Sequence, residues 1–76
     1  MKLSELRLKE VINLRDGRKL GFADDLDVDR ENGKIGTLLV YPGTRMTGLF
    51  GKQEEVRVPW EKVRLVGDDI VLVDTE

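Results

Sequence analysis

The 76-residue sequence predicts an all-β domain, a small β-barrel of about five or six short, mostly antiparallel strands. Three observations point there. Apolar residues recur with period two along most of the chain, which is the spacing of half-buried strands. Glycines recur throughout, several in Asp-Gly, Asn-Gly and Pro-Gly pairs that break the chain at short intervals. No window beyond the first dozen residues carries an apolar i, i+3, i+4, i+7 stripe, so helix is a poor alternative.

Taken in order, Ser4 is a candidate cap for one turn through Glu5-Leu6-Arg7, and Val11-Ile12 reads as a brief strand. Asp16-Gly17 is a turn. A long strand follows, with Leu20, Phe22, Leu26 and Val28 on one parity and Gly21, Ala23, Asp25, Asp27 and Asp29 on the other. Asp24 interrupts the apolar parity, so a bulge or bend is expected there. Asn32-Gly33 is a hairpin signal, and the returning strand runs from Lys34 to Tyr41. Its centre, Leu38-Leu39-Val40-Tyr41, is apolar on both parities and needs cover on both faces, from a neighbouring layer or a second chain.

Pro42-Gly43 opens the longest irregular stretch, which reaches about Gln53 and carries Met46, Leu49 and Phe50. Those three side chains either fold back over an open end of the barrel or dock on a partner. The next strand places Val56, Val58 and Trp60 on one parity, with Pro59 suited to an edge or terminal position. Trp60-Glu61-Lys62 is a tight turn, and Val63 to Val73 forms a hairpin around Gly67-Asp68-Asp69. Its second strand, Ile70 to Val73, is again apolar on both parities.

Composition narrows the function. There is no Cys and no His, so disulfides, Cys/His metal sites and Ser–His or Cys–His catalysis are excluded. Thirteen Lys and Arg against fifteen Asp and Glu give a net charge of −2, which argues against a tightly binding nucleic-acid module. No stretch is apolar for long enough to span a bilayer and no signal peptide opens the chain, so a cytoplasmic protein without membrane insertion is expected.

The candidate chemistry is sparse. Asp27, Asp29 and Glu31 have the first spacings of a calcium loop, but Asn32 stands where the sharp turn needs Gly and Leu38 where the bidentate Glu belongs. The better reading is a solvent-facing acidic strand side leading into the Asn-Gly hairpin. Asp25, Asp27 and Asp29 repeat roughly every 6.5–7 Å along one strand face, with no apolar pocket to raise a pKa for acid–base work. Gly43 and Gly48 have the spacing of a phosphate loop, yet Leu49 replaces the lysine and no helix follows. Arg15, Arg18 and Lys19 cluster around one turn, without the aromatic residues that single-strand binders use for stacking. No cofactor is expected.

The order of these signals carries a resemblance. Ser4-x-Leu6, Glu10-Val11-Ile12-Asn13, Asp16-Gly17-x-x-Leu20-Gly21, the acidic strand, Asn32-Gly33-Lys34-Ile35, Leu49-Phe50-Gly51-Lys52-x-Glu54-Glu55 and Val58-Pro59-Trp60 follow one another up to the final Gly-Asp-Asp hairpin. This series resembles the PRC-barrel family, and within it the short YlmC/YmxH-type proteins of spore-forming bacteria. The resemblance implies one PRC-type β-barrel over residues 1–76 and carries over no catalytic residues. PRC-barrels occur in the H subunit of photosynthetic reaction centres and in a ribosome-maturation factor, where the domain contacts a ribosomal protein.

The expected function is a non-enzymatic protein-interaction module associated with sporulation. A homodimer is expected because the two-sided apolar strands sit in a chain too short to cover both of their faces. On that reading Leu38, Val40, Val66, Val71 and Val73 form the dimer interface, and Met46, Leu49 and Phe50 contact an unidentified protein partner. The alternative is an RNA- or ribosome-associated factor, by analogy with the ribosome-maturation proteins.

Overall fold

A computed structural model describes residues 1–42 and 55–75. It contains one helical turn, α1 (Leu3–Leu6), and six strands: β1 (Glu10–Asn13), β2 (Lys19–Val28), β3 (Ile35–Tyr41), β4 (Val56–Pro59), β5 (Val63–Val66) and β6 (Ile70–Val73). They form a six-stranded sheet in the order β4-β3-β2-β1-β6-β5. Every neighbouring pair is antiparallel except β1 and β6, which run parallel.

The strand order forces the sheet to roll. Laid flat, strands spaced about 4.8 Å apart would hold the two edges, β4 and β5, roughly 24 Å apart. Yet only the 3-10 turn Trp60–Lys62 separates those strands, and Pro59 and Val63 cannot lie more than about 14 Å apart along that short chain. The sheet therefore curls until its edges meet at this corner. The ladder is not closed there, because β4 pairs only with β3 and β5 only with β6. The expected barrel is thus an open, rolled sheet.

Rolling explains the core. Leu6, Val11, Ala23, Leu38, Val40, Val58, Val71 and Val73 are buried together, with Leu20, Leu26, Val56, Trp60 and Val63 packed around them. Here the structure corrects an expectation. Leu38, Val40, Val71 and Val73, expected at a dimer interface, are all 0% exposed within the single chain. The inner faces of the strands cover one another, so no second subunit is needed to bury these four side chains.

Two bulges decide which β2 residues face inward. Ala23 pairs with Val40 and Asp25 with Leu39, leaving Asp24 as the expected extra residue. The alternation resets across it. Gly21 and Ala23 are buried before the bulge, and Leu26 packs on the core after it, whereas the single apolar parity read from the sequence put Phe22 with Leu26. A second register shift, opposite Val11 and Ile12, lets Leu20 reach the core as well. The Asn32-Gly33 hairpin also differs in detail. Of the Asn32-Gly33 pair Gly33 alone takes a positive φ, +72°, and the Asp29 and Gly33 amides each close the turn at 2.8 Å, so the loop is longer than a two-residue turn. At the N-terminus Lys2, not Ser4, precedes the helical turn, and the Glu5 carboxylate accepts from the Lys2 amide at 3.3 Å.

Candidate interaction surface

Alternation along β6 sends Val71 and Val73 into the core and therefore turns Ile70 and Leu72 to the outer face. Cross-strand partners share a face, so the outer surface can be read from the register. Leu72 lies between Ile12 of β1 and Leu65 of β5, which makes an apolar row across three strands. Ile70, beside Glu10, borders that row. Leu65 is 52% exposed and Ile70 36%, while Ile12 and Leu72 are half-buried. The row ends at β2, where Lys19 stands opposite Ile12. The Lys19 ammonium lies 4.7 Å from the Phe22 ring centre and 3.4 Å from the Glu10 carboxylate.

A charged recess of about 330 Å³ is lined by Arg15, Lys62, Asp74 and Thr75. The Arg15 Nε donates to Asp74 Oδ1 at 2.7 Å, and Arg64 approaches the other oxygen at 3.7 Å. The Arg15 hydrogen bond, followed by the charges of Arg15, Arg64 and Lys62, holds the Asp74 carboxyl below the ordinary aspartate pKa. Partial desolvation opposes that shift. Beneath the recess the buried Asn13 amide donates to the Thr75 carbonyl at 2.8 Å and accepts from the Arg15 and Thr75 backbone amides. Asn13 thereby ties β1 to the chain beyond β6. Lys9, 7% exposed, does the same at the opposite end by donating to the Asp68 carbonyl.

The carboxylates of the acidic strand do not converge. Asp24 faces Arg7 at 3.7 Å, Asp27 pairs with Arg57 at 2.9 Å, and Asp25 and Asp29 accept from the nearby backbone amides of Leu26 and Glu31. Asp25, Asp27 and Asp29 are exposed, as the solvent-facing reading requires. The basic cluster is likewise dispersed, with Arg15 on Asp74 and Lys19 on Glu10.

Of the five residues expected at a dimer interface, only Val66 is exposed, at 37%. Met46, Leu49 and Phe50, with the whole glycine-containing stretch 43–54, lie outside the described residues. Sequence reasoning passed over Ile12, Leu65, Ile70 and Leu72. The signal was present, because a strand apolar on both parities must present one apolar face outward once its other face fills a core.

Among the described residues no helix is long and apolar enough to cross a membrane. Comparison with known proteins supplies the kinship. The chain is 37% identical over 71 residues to the probable sporulation protein YlmC of Bacillus subtilis, an alignment covering 93% of this chain and 88% of that one. It is 33% identical over 76 residues to YmxH of the same organism, covering 97% and 88% of the two chains. A protein of Clostridium acetobutylicum is 31% identical over 72 residues, covering 95% and 82%. The PRC-barrel domain model matches residues 1–76, and the rolled, six-stranded, largely antiparallel sheet agrees with it: the chain belongs to the PRC-barrel family.

Proposed function

We propose that the protein is a non-enzymatic, homodimeric protein-interaction module that acts in the cytoplasm in a sporulation-associated process. The observation that carries the reading is the exposed apolar row Ile12–Leu72–Leu65 with Ile70 beside it, on a chain whose own core is already filled. Apolar side chains grouped on a sheet face, rimmed by charges such as Glu10 and Lys19, suit a protein contact. The process is suggested by the name of the Bacillus subtilis relative. The RNA reading draws little support from Arg7, Arg15, Lys19, Arg57 and Arg64, which each lie against a carboxylate.

Deletion of the gene from its host, followed by complementation, tests the proposal. Wild-type protein should restore spore yield, and a Leu65→Glu/Ile70→Glu variant that folds normally should not. Full rescue by that variant removes the outer face from the function. Unaltered sporulation in the deletion strain overturns the process assignment.

A further inference from the structure

The two edge strands differ in how their free sides are protected. β4 ends in Pro59 and carries exposed Arg57, preceded by exposed Glu55; proline and charge are devices that discourage strand addition. β5 carries the exposed Arg64, turned to Asp74, and a register shift between Val63 and Leu65, but it contains no proline, and beyond that shift its Leu65 and Val66 are 52% and 37% exposed.

The backbone direction of β5 follows from one hydrogen bond. The Gly67 amide donates to the Ile70 carbonyl at 2.8 Å, inside the hairpin. The Val66 carbonyl belongs to the same trans peptide and therefore points the other way, out of the sheet. In an extended strand the N–H and C=O of one residue share a side, so the Val66 amide points outward too. Among the described residues neither group has a backbone partner besides those of its own ladder.

Charge along this edge is polarised. Lys62 and Arg64, the latter reaching Asp74 at 3.7 Å, stand at its start, with Glu61 offsetting one of them. Asp68 and Asp69 follow its end. A second copy laid antiparallel sets the cationic end against the anionic end twice, whereas a parallel copy sets like against like.

We propose that β5 is the seam of the homodimer: two copies pair β5 to β5, antiparallel, about a two-fold axis at Leu65. This rests on the homodimeric reading above and specifies its surface. With Leu65 on the axis, Lys62 of each copy falls opposite Asp68 of the other and Glu61 opposite Asp69, so the charge match rests on the two Lys62–Asp68 pairs. The apolar row Ile12–Leu72–Leu65 then continues across the axis into its own symmetry mate, which gives one uninterrupted outer face.

The absence of native cysteine makes the test clean. Residues opposite each other in an antiparallel pair have Cα atoms about 4.5–5.5 Å apart, within disulfide reach. Leu65→Cys should therefore give a disulfide-linked dimer under mild oxidation, and Val28→Cys, 50% exposed on β2, should not. Val66→Pro removes an outward donor and no internal one. It should weaken dimerisation in sedimentation equilibrium by at least about tenfold, with the melting transition of the fold retained. A wild-type dimer in which Leu65→Cys links no faster than Val28→Cys overturns the seam and leaves the homodimer standing. A wild-type protein that sediments only as monomer overturns both. If Val66→Pro does not fold, the cysteine pair decides alone.

Discussion

Gly21 lies so close to Tyr41 that a Cβ at position 21 would fall 2.0 Å from the Tyr41 carbonyl oxygen. Its φ of +144° is also one that side chains rarely allow. Gly21→Ala must therefore push β2 from β3 as well as strain its own backbone. It should lower unfolding free energy by about 3 kcal/mol in urea titrations. Gly33, at φ +72° with open space around it, is the control, and Gly33→Asn should cost about 1 kcal/mol or less. Equal effects of the two substitutions would show that position 21 accepts a Cβ as readily as position 33.

Burial of Val71 and Leu38 separates core from interface. Leu38→Ala should cost about 2–5 kcal/mol, because the deleted methyl groups leave a cavity in a rolled sheet with little freedom to collapse. Val71→Lys places an ammonium among Val11, Val73 and their neighbours and should abolish cooperative unfolding. Leu65→Lys, on the exposed edge, should leave the melting transition in place. A folded, monomeric Val71→Lys protein, seen by circular dichroism and sedimentation, would return Val71 to an interface.

Asp74 predicts a pH dependence with a definite sign. Its folded-state pKa is depressed, first by the Arg15 hydrogen bond and then by the charges of Arg15, Arg64 and Lys62. A depressed carboxyl favours the folded state above its unfolded value of about 3.9. That contribution disappears as pH falls from there through the folded value. Melting temperatures of wild type and Asp74→Asn should thus differ at pH 6 and converge in acid. The difference should shrink in high salt, since the group is solvent-accessible. A constant difference across the acid range would exclude Asp74 as its source.

Asp24 was legible as a bulge because a charged residue interrupted an apolar alternation. That the bulge hands the inward face from Gly21 and Ala23 to Leu26 was not legible, since the shift depends on what β3 offers opposite. Leu38, Val40, Val71 and Val73 read as two-sided strand residues in need of cover. The cover came from the chain itself, through strands far apart in sequence.

Local chemistry in the sequence determined the strands, the glycine turns, the edge position of Pro59 and the bulge at Asp24. These depend on a few adjacent residues and on φ values that only some side chains permit. The tertiary structure alone decided that β1 runs parallel to β6, that the short Trp60–Lys62 turn rolls the sheet, and that β5 is left as an edge strand. Those outcomes rest on pairings between distant segments, where equally apolar parities compete for one core. Only the side that the roll encloses becomes the interior, and the other becomes the outer surface.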